Sequence, residues 1–368
     1  MKIGILTFHW AHNYGAVLQA YALLSKLKEM GHDAHIIDRR PDYTTLPRWI
    51  YHHTAYKHVW GWLRFDRSAH QLLQPRTARF ETQASFRRHF SDYGFDAVIV
   101  GSDQIWRWNW RMIGLNYFLD FLPADTSVRR IAYAASFGVA EWNSGAADTA
   151  RVRQLLQQFN AVSVREQSGV QLCHDVFGME AHLALDPTLL HDRTFYERLL
   201  PSENAAPADC RVVSIMLARP DAAAWVRQWA AHHNWRHTEL ANTFPECPRL
   251  TGPTSAFHLQ HVSVPEWLAT IRSARLVITN SFHATVFSLL FGKPFVTLNS
   301  AAGGTGRLET LLGYVGLTER LIPQLDEARI DALLAQPIDY PSVHKKLQAL
   351  RPASLQFLEE ALTSTPHP

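Results

Sequence analysis

Short apolar runs of strand length alternate along this chain with longer stretches whose apolar residues recur at helical spacing. Lys2 to Thr7 reads as a first strand, Ala16 to Met30 as a helix with Leu18, Tyr21, Ala22, Leu24 and Leu27 largely on one side, and Ala34 to Asp38 as a second strand. Gly31 supplies the helix stop. Strands are expected at 97–100, 131–134 and 161–164, with helices near 147–159 and 166–177. The Asp186-Pro187 turn closes this unit, and Pro201 to Asp209 reads as a linker rich in Pro, Ala and Asn. A second alternation runs through 212–217, 222–232, 266–273, 276–279, 283–291 and 295–298. Such alternation predicts parallel sheets covered by helices. The expected architecture is α/β, with two Rossmann-like doubly wound domains facing a cleft. The first is expected over residues 1–200 with a helical insert at about 45–92, and the second over 210–340. Residues 341–368 should hold a helix that packs back across the junction.

Composition narrows the class. A chain of 368 residues, 47% hydrophobic, suits two domains of ordinary size. Its net charge of +3 is mild and no block of five basic residues occurs, which argues against a nucleic-acid partner. Cys173, Cys210 and Cys247 are odd in number and far apart, so they suggest neither a disulfide framework nor a metal knuckle, and a reducing cytoplasm fits. Ile3 to Phe8 is too short for a signal peptide, and no run approaches the ~18 apolar residues of a membrane span. The stretch around Arg48 to Arg67, rich in tryptophan and basic residues, could touch a membrane surface. Its pattern is better read as an amphipathic helix packed on its own domain.

Candidate chemistry gathers where strands give way to helices. In VITNSFHATVFSLLFG, Val277 to Gly292, Thr279, Asn280 and Ser281 offer capping oxygens at the end of a strand. His283 then falls in the first turn of a helix closed by Gly292, where open α/β sheets place ligands and free N–H groups attract anions. In the first loop, HWAHNYGAVLQAYAL, Asn13 and Gly15 can adopt turn conformations, and Asn13 and Gln19 bring amides. The dinucleotide fingerprint is missing there, so a nicotinamide cofactor is not expected. In VGSDQIW, Asp103 could cap the next turn or, with Gln104, fix sugar hydroxyls. Trp106, Trp108 and Trp110 could stack on a sugar ring or serve as core. Arg165, at a strand end in SVREQSG, could fork onto an anion or pair with Asp186. His9 and His12 could join the site, but no carboxylate or cysteine stands at metal-ligand spacing beside them, so no metal is expected.

Taken in order, NYGAVLQAYAL, GSDQIW, YAASFG (Tyr133 to Gly138), SVRE with LDPTLL (Leu185 to Leu190), and NSFHATVFSLLFGKPF (Asn280 to Phe295) resemble the polysaccharide pyruvyl transferase family. The resemblance spans Lys2 to about Leu317. It implies a fold like the GT-B glycosyltransferases and transfer of pyruvate from phosphoenolpyruvate to two sugar hydroxyls as a ketal, during assembly of a cell-surface glycan. Phosphoenolpyruvate would be a co-substrate, with no other cofactor. The acceptor would be a lipid-linked or nucleotide-linked sugar, met in the cytoplasm or at the inner face of the membrane. His283 matches the family's histidine in an Arg-x-His pattern, and Ser281 here holds the arginine's place. Donor binding is therefore expected from Arg165, Asn280, Ser281 and the helix end, with Lys293 and Arg307, and acceptor contacts from Asn13, Tyr14, Gly15, Gln19, Ser102, Asp103 and Gln104. Two alternatives stay open: a GT-B-type glycosyltransferase with His283 as base, and a non-catalytic glycan-binding relative.

Overall fold

The computed structural model of the protein describes residues 1–10, 13–40, 59–108, 113–201, 211–217, 219–240, 259–260, 262–299 and 304–363. In the first half follow β1 (Lys2–Leu6), α1 (Tyr14–Glu29), β2 (Asp33–Ile36), α2 (Val59–Leu72), α3 (Gln83–His89), β3 (Ala97–Val100), β4 (Arg129–Ala135), α4 (Ala146–Leu156), β5 (Ala161–Val164), α5 (Gln167–Asp175), β6 (His182–Leu183) and α6 (Arg193–Glu197). The second half contains β7 (Arg211–Ile215), α7 (Pro220–His232), β8 (Arg236–Leu240), β9 (Leu259–Gln260), α8 (Val264–Ser273), β10 (Leu276–Thr279), α9 (Phe282–Phe291), β11 (Phe295–Leu298), α10 (Thr305–Val315), β12 (Leu321–Ile322), α11 (Glu327–Leu334) and α12 (Tyr340–Thr363).

The strands form two six-stranded sheets, ordered β2-β1-β3-β4-β5-β6 and β12-β11-β10-β7-β8-β9. Their described pairs are parallel. Helices therefore cover both faces, which is why β3 (AVIV), β10 (LVIT) and β11 (FVTL) are buried at every residue instead of alternating. The expected two Rossmann-like domains are present. In the first sheet the chain order reverses between β1 and β3, and in the second between β7 and β10. Those reversal points open crevices at the carboxyl ends of the strands.

One apolar cluster joins the halves, running from Ile3 and Leu18 to Phe287, Leu312 and Leu358. Within it α9 is buried on all sides, as a helix apolar all round requires. Tyr14 stacks on Trp267 with ring centroids 5.3 Å apart, and its hydroxyl donates to Val262 O (2.7 Å). The insert departs from expectation. Residues 41–58 lie outside the described ones, but α2 does not pack on its own domain alone: Phe65 meets the Tyr14 ring edge-on, Val264 N donates to Ser68 Oγ (3.1 Å), and Arg64 pairs with Glu266 (3.0 Å). The amphipathic pattern thus faces α8 of the second half.

Helix α12 touches both halves. His344 bonds Leu289 O and Lys346 donates to Val315 O (both 2.9 Å), while Arg351 donates to Leu189 O and His191 O (both 2.8 Å) and Ser354 Oγ accepts from Leu185 N (3.0 Å). No helix among the described residues is long and apolar enough to cross a membrane.

Candidate functional site

The two reversal points face each other, and glycine makes the approach close. A Cβ on Gly15, in the first turn of α1, would sit 2.1 Å from His283 Nδ1 in the first turn of α9, so only glycine lets these helix ends meet. Behind Gly15, Gln19 ties β1 to β3. Its amide nitrogen donates to Thr7 Oγ1 (2.9 Å) and Ala16 O (2.8 Å), and its carbonyl accepts from Ser102 N (3.1 Å). Thr7 Oγ1 in turn donates to Ser102 O (3.1 Å). Gly101 has φ +125°, and a Cβ there would lie 2.0 Å from Tyr133 O. The polar loops are thus packed into fixed positions at the sheet edge.

Asp186 is the hub. Its Oδ1 accepts from Thr188 N (3.0 Å) and Thr188 Oγ1 (2.6 Å), while Oδ2 accepts from Arg165 Nη1 (2.6 Å) and Ser102 Oγ (2.9 Å). His283 Nε2 approaches the same Oδ2 at 3.5 Å, too long for a hydrogen bond, and makes no other among the described residues. Burial alone would raise the Asp186 carboxyl. The facing charges of His283 and Arg165 and the hydrogen bonds from Arg165 and Thr188 prevail and hold it well below the usual carboxylate range. For Arg165 burial works against the cation, but Asp186, Asp103 and Glu166 raise it, so it is permanently charged. Its guanidinium lies over the Phe282 ring at 4.4 Å, and its Nε and Nη2 are buried without hydrogen-bond partners.

A second cation enters from α10. Gly306 comes close to Ser168, and Gln167 N donates to Thr310 Oγ1 (3.3 Å), which sets the start of α10 against the start of α5. Arg307 then lines the same cavity as Arg165, Asp186 and Phe282, with its Nε buried and without a hydrogen bond among the described residues. Burial, aided by the charge of Arg165, pushes its guanidinium down to about 10, which leaves it cationic at neutral pH. Glu166 closes the back of the cluster. Its Oε1 accepts from Ser136 Oγ and Phe137 N (both 2.9 Å) and Gly138 N (3.3 Å). Two cations with unused donors, a buried carboxylate and an imidazole therefore converge from both halves. This set can hold an anion and move a proton beside it.

Several expected contributors are occupied elsewhere. Asn280 gives its whole amide to Leu217, accepting from its N (2.6 Å) and donating to its O (2.9 Å), and so closes the β7/β10 crevice. Ser281 is 2% exposed and caps α9 through Ala284 N. Lys293 follows the far end of α9, roughly 15 Å along the axis from His283, so it does not join the cluster. Tyr14 is fully buried in the junction, and Asn13 caps α1 through Ala16 N (3.2 Å). Asp103 Oδ1 accepts from Gln104 N (2.8 Å) and lies 3.7 Å from Arg165, while Gln104 accepts from Arg107 (2.8 Å). Trp106 is core, stacked on Phe118, and Trp108 packs on Trp142, so neither offers a free face to a sugar. His9 is spent on Thr7 O and Asp38, and His12 and Trp110 lie outside the described residues. Phe282 and Thr188 were not singled out in the sequence, and Asp186 stood there only as a turn residue and as a partner for Arg165. The signal for Asp186 lay in the Asp-Pro turn of LDPTLL.

A family model described as polysaccharide pyruvyl transferase matches residues 13–301, most of the chain. No curated protein matches it in sequence. Among solved structures, a glycosyltransferase from Rickettsia africae superposes with a TM-score of 0.60 at 9% identity, covering 99% of both chains. A UDP-GlcNAc 2-epimerase from Methanocaldococcus jannaschii, in complex with UDP-GlcNAc and UDP, gives 0.57 at 12% identity, covering 95% of this chain and 99% of its own. At such identities the likeness establishes the fold alone, a GT-B-like pair of Rossmann-like domains.

Proposed function

Because this chain belongs to the polysaccharide pyruvyl transferase family, and is thus a transferase, we propose that it moves pyruvate from phosphoenolpyruvate onto two hydroxyls of a sugar as a ketal, in building a cell-surface glycan. The observation that carries this is the set of buried donors that make no hydrogen bond among the described residues, Nε and Nη2 of Arg165 and Nε of Arg307, with His283 close to the carboxylate that Arg165 holds. Buried polar groups are nearly always paired, and a small dianion with a carboxylate and a phosphate would pair these. Arg307, entering from α10, compensates for the arginine that Ser281 replaces.

In the reaction one sugar hydroxyl adds to C2 of phosphoenolpyruvate as C3 takes a proton and becomes the methyl group. The second hydroxyl then displaces phosphate from C2. Two C–O bonds form, one C–O bond to phosphate breaks, and inorganic phosphate leaves with a proton from the second hydroxyl. His283, oriented by Asp186, is the group assigned to carry these protons, and Arg165 and Arg307 are assigned to the anion. The acceptor, a lipid-linked or nucleotide-linked sugar, would approach from the β1 and β3 loops, at the cytoplasmic face of the membrane.

Calorimetric titration with phosphoenolpyruvate, with UDP-GlcNAc as the comparison, tests this. Saturable phosphoenolpyruvate binding that weakens at least ~10-fold in Arg307→Ala is expected, since a charge-assisted contact contributes ~1.5–3 kcal/mol. Binding of UDP-GlcNAc without phosphoenolpyruvate would overturn the proposal in favour of a nucleotide-sugar enzyme.

A further inference from the structure

Away from this cluster, three groups converge without bonding to one another. His232 is the last residue of α7, His233 its C-cap, and Glu327 the first residue of α11. The 13 residues of α7 carry these histidines roughly 20 Å from the crevice where that helix begins. His232 Nδ1 lies 3.7 Å and His233 Nε2 3.5 Å from the same oxygen, Glu327 Oε1, and the three atoms all fall within 4.8 Å of one another. Both separations are longer than an N–H···O hydrogen bond, whose usual length is about 2.9–3.0 Å. They suit instead two ligands of one ion: nitrogen and oxygen atoms ~2.1 Å from a tetrahedral centre are roughly 3.4 Å apart.

The orientation of the second imidazole supports the same reading. His233 Nδ1 lies 2.9 Å from Trp229 O, and donating to that carbonyl fixes the tautomer that leaves a lone pair on Nε2, toward Glu327. The Trp229 ring, with its centroid 4.7 Å away, limits rotation of the imidazole. The site lies at the carboxyl end of α7, where free carbonyls favour a cation. His232 and Glu327 are 77% and 48% exposed in their side chains, so an ion can enter and water can complete its shell.

We infer that His232, His233 and Glu327 form a binding site for a zinc-like divalent ion that clamps α11 onto α7. Two imidazole nitrogens 3.7 and 3.5 Å from one carboxylate oxygen form a donor set for zinc and not for magnesium or calcium, which prefer oxygen ligands. The chain between β12 and α12 passes through α11, so the ion fixes the base of the segment that returns to the first half.

The test is calorimetric titration of the chelator-stripped full chain with zinc chloride, paired with thermal melts. One zinc equivalent is expected in the native protein, weakened at least ~10-fold in Glu327→Gln and absent in the double variant His232→Ala/His233→Ala. The shift in melting temperature that zinc causes, each protein being compared with itself in chelator, should be largest in the native protein, smaller in Glu327→Gln and absent in the double variant. The absence of a stoichiometric equivalent, or an equivalent that survives in both variants, would overturn the site. Since native phosphoenolpyruvate binding is measured separately, the proposed transferase reaction stands or falls independently.

Discussion

Asp186 gathers more of the site than any other residue, and it does so as a charge without access to water. Removing that charge takes the nearest counter-charge from the buried Arg165 and leaves it Asp103 at 3.7 Å, so Asp186→Asn is expected to lose ~3–5 kcal/mol of stability in urea denaturation. A loss below about 1 kcal/mol would show that the pair is not a structural hub. The pH dependence follows from the same group. Its folded-state carboxyl is depressed, so its contribution is complete above the ordinary carboxylate range and is lost as pH falls below about 4. Denaturation midpoints from pH 7 to pH 3 should fall less steeply in Asp186→Asn than in the native protein. Arg165 shows how a sequence can leave a residue's role open. Its place at a strand end allowed either an anion or Asp186 as partner. The fold gives it Asp186 through Nη1, sets Asp103 3.7 Å from Nη2, and leaves Nε and Nη2 without a hydrogen bond among the described residues.

At the scale of elements, the short polar strands were the hard part to read. β8 is RHTEL, with a single large apolar residue, and it forms because β7 and α7 supply the partners its own pattern does not announce. β3, β10 and β11 were legible because parallel strands covered on both faces must be apolar throughout. The α9 corner was legible for a different reason: its caps, Ser281 and Gly292, are both visible in sequence, and Gly292 takes the left-handed conformation at φ +65°. What the sequence could not convey is that α1 and α9 touch through Gly15 and His283, a contact between residues 268 positions apart. Gly15→Ala should therefore displace His283 or strain both helix ends. Turnover should fall at least tenfold with a stability loss of ~1–3 kcal/mol, whereas Gly145→Ala, which meets nothing within 4 Å and stands at the N-cap of α4, should leave turnover unchanged. Equal turnover in the two variants would contradict this contact. Restoring the family arginine is not expected to help, because Ser281 is buried and caps α9. Ser281→Arg should lower the melting temperature and leave phosphoenolpyruvate affinity no tighter.

Across the whole molecule, α12 and the 185–191 loop hold the arrangement together. The helix bonds to α9 and α10 on one side and to the loop that carries Asp186 on the other, so it couples the two sources of the site. Arg351→Ala, which removes both carbonyl contacts to Leu189 and His191, is expected to cost ~1–3 kcal/mol. It should also raise hydrogen exchange in the 185–191 loop, and unchanged exchange there would contradict the coupling. The central claim is that the donors left unpaired between the two halves hold phosphoenolpyruvate. A crystal structure of the protein soaked with phosphoenolpyruvate tests it most directly. The ligand's phosphate and carboxylate should lie within ~3 Å of Arg165 Nε or Nη2 and of Arg307 Nε, with His283 facing the enol carbons. A fully formed cavity with phosphoenolpyruvate bound elsewhere, or with Arg165 and Arg307 untouched by it, would contradict the claim.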